Sequence, residues 1–270
     1  YYLKFSFLLF NFDGINITIY LIMKKILLSI ITVVKNDEKN INKTVKSIIR
    51  QKKPDYEYII IDGGSSDNTL KVINEHVNSI DYFKSEKDNG IYDAMNKGLK
   101  VASGDIVVFC NSGDFFYDNA FQKILELFNE KNYDFVFGTV IRNYTTTQKL
   151  KYNFSRFKLN FNFDFATSHS TGFFLKKKIY DKIGNYNLRF KCSADYDFYL
   201  RLFKNRVTGG YTKKDQLIGN VASHGYSSKL SFLDHLKEEF NIRKHNKENI
   251  FLIILIAFYS LLRNLDKVIK

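Results

Sequence analysis

Chemistry in this chain is suggested first by residues 111–114 (Asn-Ser-Gly-Asp), which directly follow an apolar run. A buried strand that ends in a carboxylate at a glycine-bearing turn is where open α/β sheets bind ligands. A hard cation such as Mg²⁺ or Mn²⁺ takes oxygen ligands, usually one or two carboxylates together with substrate phosphates. Asp114 is therefore a candidate metal ligand, and an Asp that only shapes the turn is the alternative.

A second polar segment, residues 62–67, follows another apolar run and begins with Asp-Gly-Gly. Two glycines let the backbone come close to a ligand, and an Asp at a strand end can accept a hydrogen bond from a nucleobase or ribose. Asp62 is therefore a candidate nucleotide ligand. The alternative is an ordinary turn between a strand and a helix, with Ser66 or Asp67 as the helix cap.

A third segment, residues 85–90, leads into a predicted helix with one polar and one apolar face. The residues of the polar face recur at helical spacing and are Asp93, Asn96, Lys97 and Lys100. Taken alone, this face is better explained as solvated surface with an Asp–Lys pair, worth about 0.2–0.5 kcal/mol.

Apolar runs and helical periodicity define the elements that must position these residues. Buried strands are predicted at 26–34, 56–61, 80–84 and 105–110, and helices at 39–51, 69–77 and 91–102. Strands that alternate with helices over such short connections predict a mainly parallel sheet with helices on both faces.

The second half of the chain is less regular. We predict a strand at 134–142, loops and short strands at 145–165, and helices at 193–203, 229–245 and 250–262. Ser193 is expected to cap the first of these helices. The predicted domain covers 23–226, with halves 23–130 and 131–226, and a C-terminal helical extension covers 227–270.

Residues 1–22 are predicted to be a leader outside that domain. Position 1 is Tyr, and the first Met is Met23. The segment lacks the charged start, the continuous apolar centre and the small-residue cleavage site of a secretory signal. We expect the natural chain to begin at Met23, and the alternative is an arm that contacts a membrane.

Charge and cysteine content restrict the partner and the compartment. The chain has 41 Lys and Arg against 28 Asp and Glu, a net charge of +13, which favours a nucleic acid, an anionic membrane or a phosphorylated substrate. The basic residues form no stripe and the aromatic residues no base-stacking motif, so we expect no nucleic-acid partner. Cys110 and Cys192 form no disulfide framework, which indicates a reducing, cytoplasmic environment.

Five segments, in this order and spacing, together resemble the family-2 glycosyltransferases, especially the bacterial branch that builds cell-surface polysaccharides. They are 32–38 (Thr-Val-Val-Lys-Asn-Asp-Glu), 61–69 (Ile-Asp-Gly-Gly-Ser-Ser-Asp-Asn-Thr), 88–98 (Asp-Asn-Gly-Ile-Tyr-Asp-Ala-Met-Asn-Lys-Gly), 102–105 (Ala-Ser-Gly-Asp) and 111–114. The resemblance implies the GT-A fold, a three-layer α/β/α sandwich with a mixed central sheet. It also implies a nucleotide-sugar donor, a divalent metal and inversion at the anomeric carbon.

The resemblance further implies roles for single residues on the donor side. The residues expected to contact the nucleotide are Thr32, Val34, Glu38, Asp62, Asp88, Asn96 and Asn111. The metal motif is residues 111–114, where relatives often carry two or three aspartates, whereas here only Asp114 is a carboxylate. The expected ion is Mn²⁺ or Mg²⁺. In such enzymes a late loop can add a His to the metal, which makes His224 a further candidate ligand.

On the acceptor side, the resemblance places a catalytic base at the start of a helix. Asp195 is the candidate base and Asp197 the alternate, although the helix dipole also favours acids in a first turn. His169 matches a position where relatives often carry a His near the acceptor. For His169 and His224, the alternative is a loop residue whose side chain is satisfied by the backbone.

These features predict an inverting glycosyltransferase with a UDP-sugar donor and a glycan or polyprenyl-linked acceptor, in which Asp195 takes the acceptor proton. The alternatives are a nucleotide-sugar-binding module without turnover and a basic nucleic-acid-binding protein.

The apolar helix at 250–262 is too short to span a bilayer, which needs about 20 apolar residues. It fits a membrane interface at the inner face of the cell membrane, and packing on the domain or in a dimer is the alternative.

Overall fold

The computed structural model describes residues 4–12, 15–23, 27–51, 55–144, 146–152, 159, 170–223 and 231–265, and over 4–23 it describes the backbone alone. Its strands are β1 (Lys4–Phe12), β2 (Ile15–Met23), β3 (Leu28–Val34), β4 (Tyr56–Asp62), β5 (Tyr82–Ser85), β6 (Ile106–Phe109), β7 (Phe115–Phe116), β8 (Phe135–Phe137), β9 (Thr139–Asn143), β10 (Gln148–Lys151), β11 (Phe173–Lys176), β12 (Gly209–Tyr211) and β13 (Leu217–Val221). Its helices are α1 (Ile41–Ile49), α2 (Thr69–Asn74), α3 (Ile91–Val101), α4 (Ala120–Glu130), α5 (Lys177–Ile183), α6 (Ala194–Lys204), α7 (Phe232–His245) and α8 (Ile250–Arg263), with a 3₁₀ turn at Val77–Ser79.

A seven-stranded sheet in the order β12-β8-β11-β6-β3-β4-β5 forms the centre of the fold. Strands β6, β3, β4 and β5 are parallel. Strand β11 runs antiparallel to both of its neighbours, so the sheet is mixed. The register pairs Val34 with Asp62 and Asp62 with Ser85. The ends of three strands therefore lie side by side, which brings the segments that follow them to one edge of the sheet.

Two apolar cores cover the two faces of the sheet, because successive side chains of a strand point to opposite faces. Ile31 and Val33 belong to the core that includes residues of α3 and α6. Ile30 and Val34 belong to the core that includes residues of α1 and α4. Each fully buried side chain of this size contributes about 1.5–3 kcal/mol relative to an exposed one. The helix–sheet–helix layers confirm the predicted α/β/α sandwich with a mixed sheet.

A second sheet contains four strands in the order β10-β9-β13-β7. The prediction of one strand at 134–142 is wrong, because the structure divides it into β8 in the large sheet and β9 in the small one. Gly138 lies at the division, and a Cβ there would be 2.8 Å from Cγ1 of Ile218. The apolar alternation continues across this glycine, so periodicity alone gives no sign that the chain changes sheets.

The segment predicted to be a leader forms an antiparallel hairpin. Strands β1 and β2 pair with each other along their whole length and make a separate two-stranded sheet. The sequence of this segment predicts no secondary structure. The hairpin ends at Met23, one residue beyond the predicted boundary of the leader.

Helices α7 and α8 confirm the predicted C-terminal helices. Nδ2 of Asn246, the residue after α7, donates to Oδ1 of Asp197 in α6 at 2.7 Å. Arg243, which is 2% exposed, pairs with Glu248 at 2.7 Å. Helix α8, in contrast, leaves most of its apolar side chains exposed. Within the described ranges, no helix combines the length and hydropathy that crossing a membrane requires.

Candidate active site

Asp114 joins three segments of the chain through its side chain. The residue is 4% exposed. Its Oδ2 accepts hydrogen bonds from the hydroxyls of Thr171 at 2.7 Å and Ser170 at 3.2 Å, and its Oδ1 accepts from the N–H of Ala222 at 2.9 Å. The turn after β6 is thereby fixed to the residues before β11 and after β13.

The backbone of the same turn is fixed to α1. The Thr44 hydroxyl donates to the carbonyl oxygen of Asp114 at 2.6 Å and accepts from the N–H of Gly113 at 3.0 Å. Gly113 has a φ of +93°, a conformation that residues with a side chain rarely adopt. This geometry gives a physical reason for a glycine at a position where the metal motif often carries an aspartate.

The surroundings of Asp114 favour a cation. Burial raises the pKa of its carboxyl group to about 6, although hydrogen bonds from Ala222 and Thr171 lower it in part. The side-chain oxygen of Asn111, in the same turn, is buried and has no hydrogen-bond partner within the part of the chain that is described. Carboxylate and amide oxygens are the ligands that Mg²⁺ and Mn²⁺ take. These residues fit a divalent cation that completes its coordination with phosphate oxygens.

The described residues do not form a complete metal site by themselves. Among them, no group of three His, Cys, Asp or Glu side chains is arranged to hold an ion. The predicted histidines, His169 and His224, lie outside the described residues. Their neighbours in sequence contact Asp114, since Ser170 follows His169 and Ala222 precedes His224 by two positions.

Asp62, the residue predicted to read the base, is buried at the end of β4 and shapes its own turn. Its Oδ2 accepts from the N–H groups of Gly64 at 3.0 Å and Ser65 at 2.9 Å, and from the Ser85 hydroxyl at 2.7 Å. The Ser65 hydroxyl donates to Oδ1. The carboxylate therefore fixes the glycine turn and ties it to the end of β5.

Asp88, the predicted neighbour of the nucleotide, packs against Gly63. Its side chain is 7% exposed, and its Oδ1 lies 4.0 Å from Nζ of Lys35. The N–H of Gly90 donates to the same oxygen at 3.1 Å. A Cβ at position 63 would lie 2.2 Å from Oδ2 of Asp88, so the absence of a side chain there permits this contact.

We expect Gly63→Ala to displace Asp88 and to weaken UDP binding about tenfold, or about 1.4 kcal/mol. Isothermal titration calorimetry measures this affinity. The clash should also lower the free energy of unfolding by about 1–3 kcal/mol, and the double variant Gly63→Ala/Asp88→Ala should recover most of that loss because the clashing carboxylate is gone. Unchanged UDP affinity in Gly63→Ala would contradict a place for Asp88 beside the nucleotide.

Of three other residues predicted to contact the nucleotide, two are buried in a strand and one is partly exposed in a loop. Thr32 and Val34 are buried in β3, and the Thr32 hydroxyl lies 3.1 Å from the hydroxyl of Tyr58. Glu38 lies in the loop before α1, where its Oε2 accepts from the N–H of Asn68 at 2.9 Å. This bond ties the loop after β3 to the loop after β4.

Asn96, also predicted to contact the nucleotide, contacts the other half of the domain. Its Nδ2 donates to the carbonyl oxygen of Tyr186 at 2.9 Å, and its Oδ1 accepts from the N–H of Tyr186 at 3.0 Å. Both ends of the amide are engaged by the backbone of one residue, Tyr186. The side chain thus joins α3 to the loop after α5.

The structure separates the two candidate bases. Asp197 is fully buried, and its carboxylate accepts from Nε of Arg201 at 2.8 Å and from Nδ2 of Asn246 at 2.7 Å. Asp195 is partly exposed in the first turn of α6, and its Oδ1 accepts from the Tyr92 hydroxyl at 2.9 Å. A general base must reach the proton it removes. Asp195 is accessible at the surface, whereas Asp197 is not and connects α6 to the C-terminal helices.

Tyr92 is the residue that the sequence analysis misses, although it lies within one of the five segments. Its hydroxyl is 2.9 Å from Oδ1 of Asp195 and 3.0 Å from the carbonyl oxygen of Cys192. Burial and the neighbouring Asp195 carboxylate raise the pKa of this hydroxyl, so it remains a donor. The sequence does contain a signal for Tyr92, since it lies on the apolar face of a predicted helix. A tyrosine hydroxyl that is buried there needs a hydrogen-bond partner.

Residues 29–193, more than half of the chain, match the family described as "Glycosyl transferase family 2". A "PGL/p-HBAD biosynthesis glycosyltransferase" of Mycobacterium bovis (strain BCG / Pasteur 1173P2) is 31% identical over 164 residues, which are 59% of this chain and 62% of that protein. The Escherichia coli "UDP-Glc:alpha-D-GlcNAc-diphosphoundecaprenol beta-1,3-glucosyltransferase WfgD" is 29% identical over 140 residues, 48% of this chain and 55% of that one. The chain thus matches less than two thirds of the length of these relatives.

Solved structures show the same fold. S. aureus TarS 1-349 in complex with UDP-GlcNAc has a TM-score of 0.67 at 16% identity and is matched over 87% of this chain and 71% of its own. The mannosyltransferase PcManGT from Pyrobaculum calidifontis, in complex with GDP-Man and Mn²⁺, has a TM-score of 0.58 at 12% identity, over 89% and 75% of the two chains. These likenesses confirm the predicted GT-A architecture. With the family match extending from β3 to the residue before α6, the chain belongs to glycosyl transferase family 2.

Proposed function

We propose that the protein transfers a sugar from a UDP-sugar to a hydroxyl group of a glycan or lipid-linked acceptor, with inversion at the anomeric carbon. The observation that carries the proposal is Asp195, a partly exposed carboxylate in a family-2 fold whose orientation is fixed by the buried Tyr92. The family supports the class of reaction, and this contact supports Asp195 as a base of defined orientation. Cytoplasmic synthesis of a surface polysaccharide is the proposed process.

In the proposed reaction, Asp195 removes the proton of the acceptor hydroxyl. The acceptor oxygen bonds to the anomeric carbon from the face opposite the leaving group. The bond from that carbon to the diphosphate breaks, and its electron pair stays on the nucleoside diphosphate. The Tyr92 hydroxyl and the N–H of Tyr196, each 2.9 Å from Oδ1 of Asp195, hold the carboxylate in place during the transfer.

On the donor side, Asp62 and Asp88 shape the loops that would receive the nucleotide. Asp114 would hold Mn²⁺ or Mg²⁺ beside Asn111, and His224 is a further proposed ligand. When bound, such a cation stabilises the charge that develops on the leaving diphosphate. His169, next to two residues that bond Asp114, is proposed to lie on the acceptor side.

Three similar proteins support the proposed donor, acceptor and ion. TarS is solved with UDP-GlcNAc, and PcManGT with GDP-Man and Mn²⁺. The name of WfgD specifies UDP-Glc and a sugar carried on diphosphoundecaprenol. For this chain they support a nucleotide-sugar donor, a divalent ion and a polyprenyl-linked acceptor.

Thermal unfolding with a panel of nucleotide sugars in Mn²⁺ tests the donor. A ligand that binds only the folded state adds about 2.7 kcal/mol of apparent stability at 100 times its Kd, so the true donor should stand out. Sugar transfer, or hydrolysis of that donor, would then establish turnover. Binding without either reaction would instead support a nucleotide-sugar-binding module, which the single carboxylate at residues 111–114 favours.

The exposed apolar face of α8 is proposed to contact the inner face of the cell membrane, which is anionic. Phe251 is 80% exposed, and Leu255 and Phe258 are more than half exposed. The net charge of +13 suits such a surface.

We expect the chain to float with phosphatidylglycerol liposomes. The variant Phe251→Ser/Leu255→Ser should bind the liposomes at least about tenfold more weakly, because burying such side chains is worth about 1.5–3 kcal/mol each. Failure of the unmodified chain to float would refute this contact.

A further inference from the structure

We infer that a cleft beside Asp195 binds the phosphate or diphosphate that joins the acceptor sugar to its lipid, an assignment that rests on the proposed function. The cleft lies between residues 189–192 and α7 and has a volume of about 940 Å³. It is separate from the strand-end residues that would receive the donor. The proposed reaction leaves its residues without a role.

The charges that line the cleft favour an anion. Its cations are Arg189, Lys191, Lys237 and Lys244. All four side chains are exposed, and within the described residues none of them forms an ion pair. Cations gathered around a concave surface attract an anion more strongly than the same cations on a convex surface. Lysine and arginine are the residues that bind phosphate groups.

The two carboxylates of the cleft are already engaged by the protein. Glu238 accepts from the N–H of Lys191 at 2.7 Å and from the N–H of Cys192 at 3.2 Å, so it holds the wall of the cleft to α7. Asp234 accepts from the Ser231 hydroxyl at 2.6 Å, at the start of the same helix. Four cations against these two carboxylates leave the concave surface with a net positive charge, and neither acid forms an ion pair with a cation of the cleft within the described residues.

The position of the cleft suits an acceptor whose hydroxyl is at Asp195. The carbonyl oxygen of Cys192, in the cleft wall, and Oδ1 of Asp195 lie within 3.0 Å of the same Tyr92 hydroxyl oxygen. The base and the wall are therefore immediate neighbours. Helix α8, with its exposed apolar face, follows the cleft helix after residues 246–249. A lipid-linked sugar phosphate has these three parts in the same order: a reactive hydroxyl, an anionic group and an apolar chain.

The test uses decyl diphosphate, below its micelle concentration, with UDP present in saturating amount so that the donor site is filled. Calorimetry should give binding to the full chain and about tenfold weaker binding to Lys237→Gln/Lys244→Gln, because two exposed cations are lost. The matched control is Lys46→Gln/Lys71→Gln, which removes the same charge from exposed positions on α1 and α2. That control should bind decyl diphosphate as the full chain does.

Two results would overturn the assignment: full affinity for decyl diphosphate in the cleft variant, and an equal loss in the control variant. In the first case, weaker binding of the cleft variant to phosphatidylglycerol vesicles would identify the cleft lysines as a membrane contact. Sugar transfer from the UDP-sugar, or its hydrolysis, by the unmodified chain is measured separately and reports on the proposed function. The absence of both would reject the reaction, whereas the binding result addresses the cleft alone.

Discussion

Asp195→Asn is expected to abolish glycosyl transfer while leaving UDP binding unchanged. An amide cannot take the acceptor proton, and a general base contributes about 10²–10⁴-fold to a rate, so kcat should fall at least about 100-fold. Asparagine keeps the size of the side chain and can still accept the hydrogen bond from Tyr92 through its oxygen. Steady-state kinetics measure the rate, and calorimetry with UDP measures the retained binding.

Two matched variants separate loss of the base from loss of a charge or of the fold. Asp118→Asn neutralises a 75% exposed carboxylate that pairs with Arg50, and it should leave kcat unchanged. Asp197→Asn should act on stability, lowering the free energy of unfolding by about 1–3 kcal/mol, because it weakens buried hydrogen bonds to Arg201 and Asn246. Near-normal turnover in Asp195→Asn would mean that another group is the base.

Asp114→Asn is expected to remove the dependence of donor binding on Mn²⁺. In the unmodified chain, Mn²⁺ should strengthen UDP binding at least about tenfold, since the cation would join the carboxylate to the diphosphate. The amide is a far weaker ligand, so the ratio of UDP affinities with and without Mn²⁺ should approach one. Asp114→Ala should show the same loss of the Mn²⁺ effect. It should also lower the free energy of unfolding by about 1–3 kcal/mol, because the three hydrogen-bond donors to Asp114 lose their acceptor.

Thr171→Val is the control for this second result. It removes the 2.7 Å hydrogen bond to Oδ2 of Asp114 but keeps the carboxylate, so it should preserve the effect of Mn²⁺ on UDP binding. If Asp114→Asn retained the full gain in affinity from Mn²⁺, the ion would be held elsewhere. The residues to examine next would then be His169 and His224.

The first half of the fold could be predicted from sequence because its signals are local. Continuous apolar runs identified β3, β4 and β6, and the observed β4 exceeds its predicted span by one residue. The second half depends on contacts that no local pattern contains. The chain changes sheets at Gly138, where a Cβ would clash with Ile218, a residue 80 positions later in the chain.

The same distinction applies to the candidate site. Both Asp195 and Asp197 lie in the first turn of α6, and the sequence gives no physical reason to choose between them. The choice depends on residues distant in sequence: Asn246 donates a hydrogen bond to the buried Asp197, and Tyr92 donates one to the partly exposed Asp195. Ser193 stands at the predicted N-cap position, but the predicted capping interaction is wrong, because its side chain makes no capping hydrogen bond.

Helix α3 carries two of the links to the second half of the domain, one from Tyr92 to Asp195 and one from Asn96 to Tyr186. The proposed base is therefore aligned to the half of the domain in which this helix lies. This one helix therefore coordinates the two sides of the proposed reaction. A change that displaced α3 would misalign the acceptor side with the donor side, even if every side chain in contact with either substrate were kept.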